Sequence, residues 1–419
     1  MPAFRFVHAA DLHLDTPFEG IGRVSPLLRQ RLRDATLEAF DNLVDLCLES
    51  EAAFLVLAGD VYDGPERGVR ARLRLLKGLK TLDAAGIEVF LAAGNHDPLS
   101  ARGWRAAGEL PGNVRLFRDR PESFPVLRGG QPIARVHGIS YARREVTENL
   151  AAGFSRHPDA LFQIGVLHAT VGAHEGHKTY APAPMETLVA SGLDYWALGH
   201  VHTRALLRPR SPAVAYPGNP QALSPRETGA RGALLVEVEE DGTVRTLFRP
   251  LDRVRFARIE ADVTGLESLS ELQNLLAARA ASAREEAEGR DLLLTAALTG
   301  RGLLHAALAV EKDREGLLET LRDAEEGADP PVWWNGLDDR TAPPLDWDDL
   351  RGQKGFPAAL LEEADRLAAD PSALDALLRE AWKGASFRPF PLPEGEDLRR
   401  LLEAARNLAA ERLLGEGEP

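Results

Sequence analysis

The chain has 419 residues, 44% hydrophobic and 27% charged, with a net charge of −14, which implies two or three globular units and excludes a disordered or fibrous protein. The negative sum excludes coating of nucleic acid through bulk positive charge, although cations held by acidic residues or a local basic groove remain open routes to it. No apolar run approaches the ~20 residues of a membrane helix, Met1 to Phe6 lacks a signal-peptide stretch, and the single Cys47 excludes an intrachain disulfide framework, which suits a cytoplasmic protein.

Arg5 to Ala9 reads as a first strand, followed by Asp11-Leu12-His13. Ser25-Pro26 has the form of an N-cap with proline at the first helical position. From there Leu28, Leu32, Ala35, Ala39, Leu43 and Cys47 recur at helical spacing up to about Glu49. Ala53 to Ala58 is a second strand ending in Gly59-Asp60. A helix over 68–85 leads to a third strand, Ile87 to Ala92, which ends in Gly94-Asn95-His96-Asp97. Alternating strand and helix predict layered α/β packing.

The middle of the chain repeats the theme, with more antiparallel character. Ile133 to Ile139, Phe162 to Leu167 and Tyr195 to Leu198 are strands, the last two leading into His168 and into Gly199-His200-Val201-His202. Ala233 to Glu239 and Val244 to Arg249, joined by Asp241-Gly242, form a hairpin. Beyond Val254 the order is strand (255–263), helix (268–288), strand (292–298) and helix (314–326), the pattern of a small α+β unit. A Pro- and Asp-rich stretch with Trp333, Trp334 and Trp347 reads as a linker. Two leucine stripes, Leu360 to Ala381 and Leu398 to Leu413, then make a helical C-terminus.

The strand ends carry the chemistry. Asp11, His13, Asp60, Asn95, His168, His200 and His202 combine carboxylate, amide and imidazole donors at the carboxyl ends of strands, where open α/β sheets place ligands. Such donors suit borderline divalent metals, and the absence of thiolate argues against structural zinc. They are too many for one tetrahedral ion and enough for two, with a carboxylate such as Asp60 able to bridge ions roughly 3.5–4 Å apart. A water shared by two ions becomes a hydroxide nucleophile near neutral pH, and the ions clamp the oxygens of a phosphate. His96 is free to protonate the leaving oxygen, and Asp97 is placed to orient His96. After His168, a loop with His174, His177, Lys178 and Tyr180 offers cations and a ring to a substrate phosphate or base.

Asp11-Leu12-His13, Gly59-Asp60-Val61-Tyr62-Asp63, Gly94-Asn95-His96-Asp97, His168 and Gly199-His200-Val201-His202 resemble, in order, the five motifs of calcineurin-like metallophosphoesterases. Tyr216-Pro217-Gly218-Asn219-Pro220 with Arg226-Glu227 and Gly232 is similar to a segment of the SbcD DNA-repair nucleases, most of all their YhaO-type branch. The resemblance is strong over about residues 1–250 and thin beyond. It implies an α/β (α+β) fold, a four-layer metallophosphoesterase β-sandwich flanked by helices, with a small α+β accessory domain and a helical C-terminus.

The corresponding division is a catalytic domain (1–250), an accessory domain for DNA binding or capping (251–328), a linker (329–355) and a helical partner-binding segment (356–419). One metal would take Asp11, His13, Asp60 and His202, the other Asp60, Asn95, His168 and His200, and His96 would stabilise the transition state and act as general acid. The metals expected are two manganese ions, with iron, cobalt or zinc as alternatives. Where many of these nucleases carry a histidine after the Gly-Asp motif, this chain has Asp63 or its neighbours, and no role carries over. The implied activity is 3′ to 5′ exonuclease and single-strand endonuclease action in double-strand-break repair. The implied setting is a homodimer near the nucleoid, joined to an SbcC-like coiled-coil ATPase through its C-terminal helices. The alternatives are a phosphoesterase for small nucleotide substrates and a DNA-end-binding scaffold for the ATPase.

Overall fold

The computed structural model describes residues 2–21, 26–64, 68–101, 104, 110–159, 161–172, 180–325, 327, 330–344, 347–352, 355–384 and 395–415. Ser25, read as a helix cap, lies outside them. The chain divides into two compact units: Met1–Glu260 with Asn274–Ala297 and Gly316–Asp338, and Ala261–Gln273 with Leu298–Glu315 and Asp339–Pro419.

The first unit contains two six-stranded sheets. One runs in the order β12-β11-β1-β2-β3-β4, from β1 (Phe4–Ala9), β2 (Phe54–Ala58), β3 (Glu88–Ala92), β4 (Val114–Leu116), β11 (Gly232–Val238) and β12 (Val244–Pro250). The other runs β5-β6-β7-β8-β10-β9, from β5 (Glu122–Arg128), β6 (Gln131–Gly138), β7 (Phe162–His168), β8 (Tyr195–Gly199), β9 (Ala205–Arg208) and β10 (Ala213–Tyr216). The antiparallel character expected in the middle of the chain lies in the β11–β12 hairpin, in the β1–β11 pair and at the edge strands β5 and β9, while β6, β7, β8 and β10 pair in parallel. Strands buried on both faces read as continuous apolar runs, and the largely uncovered edge strands β5 and β9 left little trace in the pattern.

Successive residues of a strand point to opposite faces, and both faces are used. Phe4, Phe6, Phe54, Val56 and Phe90 meet Ile164, Val166, Tyr195 and Ala215 of the other sheet. Phe6 stacks on Phe54 at 4.9 Å and meets Tyr195 edge-on at 5.4 Å. Val7, Leu55, Leu57, Val89 and Leu91 pack outward under two helices, α1 (Pro26–Glu49) and α2 (Val69–Ala84). On the far face of the second sheet, Trp196, Leu198 and Val214 pack with Leu188 of the short helix Met185–Ala190 and with loop residues such as Tyr141 and Val171. Helix, sheet, sheet and helix make the four layers expected. β1, β2 and β3 are parallel, as are β6, β7, β8 and β10, so each parallel set gathers its carboxyl ends along one edge of its sheet.

A third sheet, in the order β13-β14-β15, comprises β13 (Val254–Asp262), β14 (Asp291–Thr299) and β15 (Val332–Asp339). Val254, Phe256 and Leu293 pack with Leu28, Leu32 and Ala35 of α1. The stretch read as a linker therefore supplies an edge strand and the helix Trp347–Gly352. Val332 and Trp334 alternate inward, a period-two signal masked by the polar Asn335 to Asp339 that follows. In the second unit, the helices Phe356–Ala369, Pro371–Gly384 and Gly395–Gly415 share a small core of Leu367, Leu374 and Leu398. No helix among the described residues is long and apolar enough to cross a membrane.

Candidate metal centre

The turns that leave β1, β2, β3, β7 and β8 converge. Backbone bonds tie the first two together: the Asp11 N–H donates to Gly59 O (3.0 Å), His13 N–H to Asp60 O (3.1 Å) and Leu14 N–H to Val61 O (3.0 Å). Asp11, His13, Asp60 and His200 have φ of 54°, 41°, 50° and 97°. Non-glycine residues seldom occupy that region, at a strain of order 1–3 kcal/mol each, so four of the seven proposed ligands are held by their surroundings in unfavourable backbone states. The conformation turns their side chains together at the strand ends. Two glycines make room for them. A Cβ on Gly94 would lie 2.2 Å from Asp60 Oδ1, and one on Gly59 would lie 2.2 Å from His168 Nδ1.

Among the described residues three ligand groupings result: Asp11, His13 and His202; Asp11, Asp60 and His168; and His13, Asp63 and His96. In the second, His168 Nδ1–H donates to Ala58 O at 2.9 Å, leaving Nε2 facing Asn95 Oδ1 at 2.9 Å and Asp60 Oδ2 at 3.2 Å. In the first, Nε2 of His13 and Nε2 of His202 face each other at 3.2 Å. Among the described residues, His13 Nδ1 is buried without a hydrogen-bond partner. Lone pairs and carboxylate oxygens aimed at common points, with Asp11, His13, Asp60, Asn95 and His168 almost wholly buried, fit divalent cations: the donor set is acceptor-rich and thiolate-free.

The electrostatics agree. Burial pushes the Asp11 carboxyl up to about 6 despite the neighbouring histidines. Burial also pushes Asp60 up, but His168, His13 and His96 outweigh it and hold that carboxyl well below the usual carboxylate range. Burial pulls His168 down, and the charge and hydrogen bond of Asp60, with Asp11, overcome it and lift His168 to about 9. Burial beside His202 drops His13 to about 3. In the metal-free chain a proton on His168 thus answers the Asp60 charge that a cation would otherwise neutralise.

The structure brings Asp11, His13, Asp60, Asn95, His168 and His202 together. The His200 ring lies 5.1 Å from that of His168, and the His200 backbone N–H donates to both oxygens of Asp11 at 3.1 Å, but among the described residues it joins none of the three groupings. His96 stands at the rim with 34% of its side chain exposed, and its N–H donates to Asp60 Oδ1 at 2.9 Å. The role given to Asp97 is corrected. Its oxygens accept from the N–H groups of Val61, Tyr62 and Gly94, bracing the loops, while the carboxylate at His96 Nδ1 is Asp63. That hydrogen bond raises His96 above its ordinary value. Asp63 is the residue the sequence reading left without a role. A visible pointer was its place three residues after Asp60, on the same turn. Tyr180 packs edge-on to His200 at 5.4 Å. His174, His177 and Lys178 lie outside the described residues.

Residues 4–204 match the family model of calcineurin-like phosphoesterases, and residues 256–342 match that of the middle domain of metallophosphoesterase YhaO. A Bacillus subtilis (strain 168) protein described as an uncharacterized metallophosphoesterase, YhaO, is 35% identical over 362 residues, 86% of this chain and 87% of that protein. The DNA double-strand break repair protein Mre11 of Methanopyrus kandleri is 28% identical over 265 residues, 58% of this chain and 56% of that one. The Mre11 of Halobacterium salinarum is 24% identical over 395 residues, 90% and 92% of the two chains.

Proposed function

This chain belongs to the calcineurin-like metallophosphoesterases, and on that premise we propose that it is a DNA nuclease of double-strand-break repair, hydrolysing phosphodiesters with two divalent cations, manganese foremost. The observation that carries ester hydrolysis is the His96–Asp63 pair at the open rim of a buried ligand cluster. With Nδ1–H donated to Asp63, the other ring nitrogen is left to hold a proton for a leaving oxygen, and the Asp63 hydrogen bond favours the protonated ring. Asp11, His13, Asp60, Asn95, His168 and His202 would hold the cations, with His200 bracing Asp11 through its backbone. When bound, the cations supply Lewis acidity toward phosphate oxygens and lower the pKa of nearby water.

The choice of DNA is supported by the likeness to the Mre11 break-repair proteins. The family resemblance favours 3′ to 5′ exonuclease with single-strand endonuclease action, on a homodimer near the nucleoid. A coiled-coil ATPase of the SbcC type is the partner this reading assigns to the C-terminal helices, where Leu377, Leu401 and Leu408 remain exposed. The test is digestion of 3′- and 5′-labelled DNA in Mn2+, alongside a chromogenic phosphodiester. Shortening from 3′ ends is expected. The His96→Ala variant should lose on the order of 10²–10⁴-fold in kcat with Mn2+ binding retained. Cleavage of the chromogenic diester with intact DNA would replace this reading by a small-nucleotide phosphodiesterase.

A further inference from the structure

Glu227 lies in a loop of the first unit, outside the ligand motifs, yet it reaches the metal centre. Its Oε1 accepts from His202 Nδ1–H at 2.6 Å, and its Oε2 accepts from Leu223 N–H at 2.7 Å and Asn219 Nδ2–H at 3.0 Å. Arg231 closes the same loop, donating to His202 O at 2.6 Å and Asn219 Oδ1 at 3.2 Å. Two residues from Asn219, the buried Gln221 grips the start of β13. Its Oε1 accepts from Arg253 N–H (2.8 Å) and Val254 N–H (3.2 Å), and its Nε2 donates to Val254 O (2.7 Å).

We propose that Glu227 is a positioning residue for the metal centre, and that segment 219–231 couples cation binding at His202 to the seating of β13. A carboxylate only accepts hydrogen bonds, so the 2.6 Å contact fixes the proton of His202 on Nδ1. Nε2 is left as a lone pair facing His13 Nε2, where a cation is to be held. Supporting carboxylates of this kind orient metal-bound imidazoles. Here the support is itself clamped by the loop that holds β13, so a cation that pins His202 also steadies Glu227, Asn219 and Gln221. The reverse follows: loosening β13 from Gln221 frees the loop and weakens the hold on His202.

The inference rests on the metal centre and not on DNA as substrate, so its readouts need no turnover. Mn2+ binding to the full chain is measured by calorimetry, and hydrogen exchange is followed at the Arg253 and Val254 amides. Mn2+ is expected to slow exchange of both amides in the wild-type chain. Glu227→Gln leaves one acceptor oxygen for three donors. It should weaken Mn2+ binding by about 10–100-fold and abolish the Mn2+-dependent slowing, while the metal-free melting temperature shows the fold intact. Wild-type affinity in Glu227→Gln overturns the positioning role. Amide exchange in the wild-type chain that ignores Mn2+ overturns the coupling, and that arm needs no variant to fold.

Discussion

Two histidines are wholly buried between the same two sheets and end in opposite states. His8, inside β1, donates from Nε2 to Leu198 O at 3.1 Å and accepts from Tyr195 O–H at 3.0 Å. No carboxylate figures among the groups that shift it, and burial drives it down to about 3. His168, at the end of β7, is as deeply buried and is lifted to about 9 by Asp60 and Asp11. Burial alone makes a histidine neutral. A histidine kept charged in the interior needs buried carboxylates beside it, and such an arrangement, uneconomical for folding alone, marks a site that answers a cation. The difference between interior and strand ends is therefore one of neighbours and not of depth.

Asp60→Asn should erase that difference and gives the largest effect expected. It removes a carboxylate central to the ligand cluster, so Mn2+ binding seen by calorimetry should be lost at concentrations that saturate the wild-type chain. His168 should then titrate well below about 9, towards the behaviour of His8, in a histidine NMR titration of the metal-free chain. A His168 that kept its high value without Asp60 would break the comparison.

Gly94→Ala tests the same contact sterically. The added Cβ would meet Asp60 Oδ1 at 2.2 Å and the Asp60 backbone N at 2.8 Å, and the strand end has no slack to absorb it. A loss of about 1–3 kcal/mol in denaturant unfolding is expected, with weakened Mn2+ binding because Asp60 is pushed away from His168. Unchanged stability would mean that the turn after β3 yields more easily than its packing indicates.

What the sequence disclosed follows from locality. Asp11, His13, Asp60, Asn95, His168, His200 and His202 all sit at ends of apolar runs, so a pattern of strand followed by ligand made them legible before any coordinates. The role of Asp63 was hidden because its partner, His96, is 33 residues away in sequence, and the nearer Asp97 offered a simpler story. Glu227 stood out only as part of a segment similar to that of the SbcD nucleases, and its role was hidden because its link to His202 spans 25 residues and ends in a loop with no periodicity. β15 was mistaken for a linker because an edge strand buries only alternate residues, and prolines and aspartates flank it. The parallel pairing of β6, β7, β8 and β10 could not be read from strand composition, since the pairing is set by crossovers through irregular segments and a short helix.

His8 supplies the smallest effect and the cleanest control. Its folded value of about 3 lies below the unfolded value of 6.5, so the unfolded chain binds the extra proton first as pH falls. The stability due to a neutral His8 is therefore complete above pH 6.5 and is withdrawn as pH drops from there toward 3, with a limiting slope of about 1.4 kcal/mol per pH unit. Denaturant unfolding of the metal-free chain at pH 6.5, 5.5 and 4.5 should show a fall that contains this share beside that of His13, and His8→Gln, which cannot titrate, should remove the His8 share while leaving the contribution of the strand ends. Because protonating His8 would place a second N–H against the Tyr195 hydroxyl, whose proton now points at Nδ1, the two-sheet interior resists the charge that His168 accepts. Equal slopes in the two proteins would mean that His8 already takes up its proton in the folded state, and the contrast with His168 would fail at its simpler end.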